Sequence, residues 1–275
     1  MADVVVLGSN GMLGWMVEDN LSIDHQILGL NRDRFVVTTN WAAMAWSLKY
    51  ELLKFGHPDY IINCIGAIKP AFNDPRRNGI NNMVNAVFPW LLADFAAEYD
   101  SKLIHITTDC VYDGKDGYYT ENSPHNPLDA YGKSKSLGEP DNCMVLRTSI
   151  IGPERGTNKS LVEWLLSNKG GKVNGFTNHI WNGLTTLELS KCINAIIHED
   201  LYQEGTHHLF SSDVTKLDML RIMSDAWALC IEVHPTEAKE PCNRALRTAK
   251  TLNSVVRPTS YVEMIEELRE YINDR

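Results

Sequence analysis

The chain of 275 residues has no uninterrupted apolar run near the ~18 residues of a spanning helix. This argues against an integral membrane protein. It also lacks an excess of positive charge: 26 Lys and Arg stand against 35 Asp and Glu, a formal net charge of −9. Non-specific nucleic-acid binding needs a basic face that this balance does not favour. The opening MADVVVLGSNG has no basic residue before its apolar run, so it does not read as a secretory signal. Cys64, Cys110, Cys143, Cys192, Cys230 and Cys242 form no C-x-x-C pair and no zinc-ligand spacing with histidine. No metal is expected. Scattered thiols without an export signal read as reduced cysteines of a cytoplasmic protein. No linker rich in Ser, Gly or Pro, no repeat and no low-complexity tract interrupts the chain. What remains is ordinary globular usage, 44% apolar and 22% charged, long enough for one large domain or two small ones.

The first half alternates short apolar runs with helical stretches. Val4–Leu7, Gln26–Leu30, Tyr60–Cys64, Leu103–Thr107 and Cys143–Thr148 read as buried strands. Met12–Leu21, Trp41–Phe55, Asn81–Tyr99 and Tyr131–Leu137 read as helices. This alternation signals βαβ units, an α/β fold with a parallel sheet covered on both faces. The second half has helices at Leu161–Leu166, Thr185–His198, Lys216–Leu229 and Tyr261–Ile272, with strands at His207–Phe210 and Ile231–His234.

Gly8-Ser9-Asn10-Gly11-Met12-Leu13-Gly14 follows the first strand directly and opens the first helix. Gly8 allows the tight turn, Gly11 lets a pyrophosphate approach the backbone, and Gly14 lets the helix pack closely on the sheet. Free amides at the helix start hold the anion. A dinucleotide is therefore the expected cofactor. The second strand ends in Asn31-Arg32, where NAD-binding chains carry an acid. An arginine pairs a 2′-phosphate with two hydrogen bonds, which favours NADPH, with NADH as the second candidate. A solvated Arg32 is the bland alternative, and Asp33 next door weakens the pairing.

The fourth strand ends in Thr107-Thr108-Asp109-Cys110-Val111-Tyr112-Asp113-Gly114, at the sheet edge where open α/β folds bind ligands. Downstream, Tyr131 and Lys135 are four residues apart and share a helix face. A lysine ammonium beside a phenol lowers its pKa, which suits it to proton exchange with a carbonyl or alcohol oxygen. Thr108 would hydrogen-bond and polarise the same oxygen. A second copy of the spacing, Tyr50 and Lys54, has no strand-end hydroxyl upstream and reads as core plus a solvated lysine.

With these residues in order, the chain resembles the extended short-chain dehydrogenase/reductases, most closely their dTDP-4-dehydrorhamnose reductase branch. The resemblance rests on Gly8–Gly14, Asn63-Cys64-Ile65-Gly66-Ala67, Val84-Asn85-Ala86, the Thr107–Gly114 segment, Tyr131–Lys135 and Leu146-Arg147-Thr148. It implies a Rossmann-type doubly wound parallel sheet over 1–152 and a smaller C-terminal substrate lobe over most of 153–275. The chain is expected to return to the first lobe near 180–200. It implies hydride delivery to the C4 ketone of a nucleotide-linked 4-keto-6-deoxy sugar. Tyr131 would protonate the alkoxide, Lys135 would bond the nicotinamide ribose, and Thr108 would orient the ketone. Asn63, Cys64, Ile65 and Asn85 fall beside the cofactor, although both asparagines could equally serve the backbone. Trp181-Asn182-Gly183-Leu184-Thr185-Thr186 is similar to that branch's substrate side, and a homodimer is the family-level expectation. The Arg-Pro segment usual before the last helices is replaced by Arg247-Thr248-Ala249-Lys250.

Asp109, Cys110, Val111, Lys69 and Trp181 are the substrate-side candidates; Arg76, Arg77 and Arg155 are further cations that could meet a diphosphate. Trp181 reads almost equally as core. His105, Trp41, Met44 and Trp46 read as core. Dehydratases of this superfamily place Thr-Asp-Glu where this chain has Thr108-Asp109-Cys110, which disfavours dehydration. Cys110 leaves two alternatives open: a packed thiol, or the proton-swapping base of a 3,5-epimerase/4-reductase. The second would need a partner such as His179 or Lys172. A non-catalytic NADP-binding regulatory subunit is the reading from another class, since a regulatory protein of methionine adenosyltransferase resembles the same branch. The intact Thr108, Tyr131 and Lys135 count against it.

Overall fold

The computed structural model describes residues 1–155 and 160–274. Its first half runs β1 (Asp3–Leu7), α1 (Gly14–Leu21), β2 (Gln26–Leu30), α2 (Trp41–Phe55), β3 (Tyr60–Asn63), α3 (Asn78–Asn82), α4 (Phe88–Glu98), β4 (Lys102–Thr108), α5 (Ala130–Ser136) and β5 (Met144–Thr148). The second half runs β6 (Ile150–Ile151), α6 (Leu161–Ser167), β7 (Lys172–Phe176), β8 (His179–Trp181), β9 (Leu184–Thr185), α7 (Thr186–His198), β10 (Gly205–His208), β11 (Val214–Thr215), α8 (Lys216–Ala226), β12 (Glu232–Thr236), β13 (Cys242–Asn243), α9 (Leu252–Val256) and α10 (Tyr261–Asn273). The helix expected over Asn81–Tyr99 is not uniform. A π-helical turn at Met83–Val87 joins α3 to α4, and such turns gather at functional sites.

Six parallel strands form the main sheet in the order β10-β5-β4-β3-β1-β2. Alternate residues of a strand face opposite layers. Val4 and Val6 therefore join α1 and α7 in one core, while Val5 and Leu7 join α2 and α4 in the other. The strands are apolar on both faces because both faces are covered. This is a Rossmann-type doubly wound sheet.

After β5 the chain leaves the sheet and comes back. α7 lies in the core layer of α1, with the His25 ring bonded to Asn194 at 2.7 Å. β10 then pairs with β5. Between and beyond these elements lie three small sheets: β11-β8-β13, β12-β7 and β6-β9. Their core runs into the first one through Val162, Trp181, Leu217 and Tyr261. The helices α6, α7, α8 and α10 each start on a Ser or Thr whose side chain accepts from the third helical amide. That satisfies a helix-end donor that would otherwise lack a partner. Among the described residues no helix is long and apolar enough to cross a membrane.

Two expectations for α2 change. Trp46 is 68% exposed rather than core and stacks on Tyr50 at 5.6 Å. Tyr50 is also exposed, with the Lys54 ammonium 3.8 Å above its ring. That Tyr/Lys pair is a surface cation–π contact, because it lies on the face of α2 away from the sheet. Met44 is buried, as expected.

Candidate active site

The strand order reverses between β1 and β3, and open α/β folds bind ligands beyond the carboxyl ends of strands at such a point. Gly8 takes a positive φ of 82° there, and a Cβ on it would lie 3.1 Å from Ile65. A Cβ on Gly14 would lie 2.1 Å from the Gly8 carbonyl, so only glycine lets α1 come this close. No side chain caps the start of α1, which leaves its amides for an anion. Asn10 and Gly11 are exposed and Met12 is half-buried. Leu13 sends its side chain into the core and offers only its backbone. This cradle fits the pyrophosphate of a dinucleotide.

At the end of β2, the Asn31 side chain accepts from the Asp33 amide at 2.9 Å. Arg34 donates to the Gly29 carbonyl at 3.2 Å and pairs with Glu51. Arg32 is exposed and has no hydrogen bond or ion pair among the described residues. It is thus the cation of this edge left for a ligand.

The loop after β3 is built from inside. Asn63 accepts from the Ile65 amide at 3.1 Å and meets the His105 ring at 3.0 Å. Asn85, in the π turn, accepts from the Ala67 amide at 2.8 Å and donates to the Ala67 carbonyl at 2.9 Å and to Ser134 at 3.0 Å. Both asparagines are fully buried. Both shape the loop from inside through these bonds. Cys64 and Ile65 are half-buried on that loop, with the Cys64 thiol pushed up to about 12 by burial. A Cβ on Gly66 would lie 3.1 Å from Lys135 Nζ, so the ammonium packs on the loop backbone.

Thr108 closes β4. Its hydroxyl accepts from the Cys110 amide at 3.2 Å and donates to Asp109 at 3.1 Å. Asp129 caps α5 by accepting from the Gly132 amide at 2.8 Å. Helix and strand end meet closely: a Cβ on Gly132 would stand 2.3 Å from the Cys110 carbonyl. Thr108 acts on the Tyr131 phenol and favours its charged form, which places the two side chains near each other. Tyr131 and Lys135 of α5 thus lie against two neighbouring parts of the sheet's carboxyl edge, Tyr131 at the end of β4 and Lys135 at Gly66. Behind them the buried Arg147 of β5 holds Glu139, just past α5, and the Tyr112 hydroxyl at 2.5 Å.

The electrostatics differ from expectation. Burial raises the Tyr131 phenol above its ordinary value, Cys110 adds to this, and Thr108 acts against it. Lys135 is not among its leading influences. Burial pushes the Lys135 ammonium down to about 8, against Glu139 and Cys64. The reason is placement: Lys135 serves the Gly66 side, while Tyr131 sits among Cys110, Asp109 and Asp129.

Several substrate-side candidates have partners within the protein. Lys69 pairs with Asp129 at 2.7 Å, and its segment lays Phe72 edge-on against Tyr131 at 6.2 Å. Val111 is fully buried beside Tyr112 and Tyr119, so its side chain packs rather than binds. Trp181 is a core residue: it donates to Ser149 at 2.8 Å and meets Tyr261 edge-on. Arg76 pairs with Asp74 at 2.9 Å, and Arg155 lies over Trp15. Arg77 is exposed. Lys172 pairs with Glu232 at 2.6 Å, and the His179 ring meets the Glu240 carbonyl at 3.1 Å. Asp109 is buried, which raises its carboxyl against the pull of Arg244. Cys110 is half-buried, its thiol pushed up to about 12 by burial and then by Asp109. The sequence reading missed Gly132, Phe72, Lys216 and Arg244. Gly132 lay inside the Tyr131–Lys135 motif; the others are long-range neighbours with no local signal. Among the described residues no group of three or more His, Cys, Asp or Glu is placed to hold a metal.

Residues 1–272 match the model of the family described as RmlD substrate binding domain. The chain belongs to this family. It is of the extended short-chain dehydrogenase/reductase type, similar to the dTDP-4-dehydrorhamnose reductases. A dTDP-4-dehydrorhamnose reductase of Aggregatibacter actinomycetemcomitans is 24% identical over 98% of this chain and 99% of its own length. Methionine adenosyltransferase 2 subunit beta of Danio rerio is 30% identical over 54% of this chain and 47% of its own. For several curated relatives the match spans about half of their length. The solved structure of the Bacillus anthracis dTDP-4-dehydrorhamnose reductase in complex with NADP superposes with a TM-score of 0.82 at 21% identity, covering 99% of each chain. At that identity the likeness shows the fold alone.

Proposed function

We propose that this RmlD-family protein reduces the C4 ketone of a nucleotide-linked 4-keto-6-deoxy sugar with NADPH. The observation that supports the reading is the seating of α5, which carries Tyr131 and Lys135: Gly132 packs on the Cys110 carbonyl past Thr108, and Lys135 packs on Gly66, in the loop whose Ile65 meets Gly8. When bound, the dinucleotide supplies the hydride. Gly8, Gly11 and Gly14 hold its pyrophosphate, and Arg32 takes the 2′-phosphate. Tyr131, kept protonated by burial, gives its proton to the oxygen of the new alcohol. Thr108 holds that oxygen in line. Lys135, packed on Gly66, would hold the ribose hydroxyls. Cys110 stays a neutral thiol in this scheme, so no epimerase step is included.

The full-length match to a dTDP-4-dehydrorhamnose reductase supports the substrate class. The free cysteines accord with a cytoplasmic setting. The partial match to a methionine adenosyltransferase subunit favours a second reading, a module that binds NADP without turnover. A panel of 4-keto-6-deoxy nucleotide sugars, followed by NADPH absorbance with NADH as control, separates the two. Turnover with at least one sugar, faster with NADPH, is expected. Cofactor binding with no turnover across the panel favours the module. Solvent deuterium appearing at C3 or C5 of the product would restore the epimerase role of Cys110.

A further inference from the structure

Two cations of the C-terminal half flank the Asp109–Cys110 corner, and among the described residues neither makes an ion pair. Lys216 and Arg244 are the first residues past β11 and β13, the two strands on either side of β8. Lys216 lies 5.5 Å from the Trp181 ring, and among the described residues its ammonium has one hydrogen-bond contact, the Met219 sulfur at 3.5 Å. Arg244 donates from Nε to the Tyr112 carbonyl at 3.0 Å, which fixes the guanidinium plane. Its two Nη groups have no hydrogen bond or ion pair among the described residues. Gly114 makes the approach possible, since a Cβ there would stand 3.1 Å from Arg244 Cγ. Both cations act on Asp109 and Cys110, next to Thr108 and Tyr131.

The charges do not balance. Asp109 is one carboxylate facing two cations, and Asp129, the other acid near Arg244, is paired with Lys69. Both cations are half-buried, and unpaired positive charge in such a place costs stability and concentrates at ligand contacts. A held guanidinium with two free Nη groups matches the oxygens of a phosphate or carboxylate, and a nearby ammonium adds a point charge.

We propose that Lys216 and Arg244 form an anion clamp that takes a phosphate or carboxylate group of the substrate beside the ketone. The clamp rests on the nucleotide-sugar reading for its place in the reaction, but its binding is measurable without turnover. It is a specificity device of the C-terminal half. The anion has two sources, the nucleotide diphosphate or an acid group on the sugar itself.

Calorimetric titration of NADP-loaded protein tests it with inorganic pyrophosphate, dTDP, thymidine, and sugar nucleotides with and without a sugar carboxylate. Lys216→Met and Arg244→Met are expected to lose about tenfold or more in affinity for the anions. Arg244→Lys keeps part of it, while thymidine and NADP affinities stay within about twofold. Loss for pyrophosphate and dTDP assigns the clamp to the diphosphate. Loss only for the carboxylate-bearing sugar nucleotide assigns it to the sugar. Unchanged binding of every anion overturns the proposal. An equal loss for thymidine or NADP also overturns it, because the residues would then be shaping the protein rather than meeting charge. Absence of reductase turnover alongside a working clamp would remove the proposed reaction and leave the clamp standing.

Discussion

Gly132→Ala asks whether the contact that seats α5 against the end of β4 matters for turnover. An added Cβ would stand 2.3 Å from the Cys110 carbonyl and 2.8 Å from Pro127 Cβ, where ordinary contact begins near 3.4 Å. The Cys110 carbonyl is backbone and cannot swing aside, so α5 must retreat by roughly 1 Å. Tyr131 precedes this residue and Lys135 follows within the same turn, so both move with it. A misplacement of about 1 Å costs about 10²-fold in rate, or about 2.7 kcal/mol of barrier. NADPH binding at the Gly8–Gly14 turn should change far less, since that turn lies on other elements. Gly79→Ala is the control: it sits in α3 with nothing within 4 Å of an added Cβ. It should leave activity unchanged and add up to about 1 kcal/mol of stability. Steady-state rates, NADPH titration and urea melts of both variants give the answer. A folded Gly132→Ala enzyme within twofold of the parent rate would refute the claim that this packing sets the catalytic geometry.

Asn85→Ala leaves the Ala67 amide and carbonyl without their buried partner, so urea melts should show a loss of about 1–3 kcal/mol, with kcat reduced as well. Lys135 is held at about 8 when folded, against 10.5 for a free lysine. Between those values the unfolded chain binds the extra proton, so this site's contribution to stability rises with pH and is least favourable below about 8. Lys135→Met should therefore be inactive yet more stable than the parent at pH 7, with the slope of stability between about pH 8 and 10.5 flattened; urea melts on either side of that window check this. Arg32→Ala should raise KM for NADPH about tenfold while leaving NADH unchanged, measured by initial rates with each cofactor.

What could be read from the sequence follows what is local. The glycine turn, the strands of the main sheet and α2 show through period and composition, because each strand is buried on both faces and each glycine answers a nearby clash. The Tyr131–Lys135 spacing is legible for the same reason: one turn of helix defines it. The small sheets around β8 were missed since their strands are two to five residues long and held by distant partners. The π turn at Asn85 leaves no mark in the apolar period. Charge placement was the least legible. Nothing near Lys216 or Arg244 in sequence announces Asp109, and the Tyr131 phenol is set by burial and by Cys110, which only the tertiary fold brings to it.

Turnover and NADPH affinity of Tyr131→Phe, measured on one preparation, test the central claim most directly. Removing a single oxygen should lower the rate of sugar reduction by about 10²–10⁴-fold while the NADPH dissociation constant stays within about twofold. A Tyr131→Phe enzyme that reduces its substrate at the parent rate would contradict the assignment of the proton donor, and with it the site built around that residue.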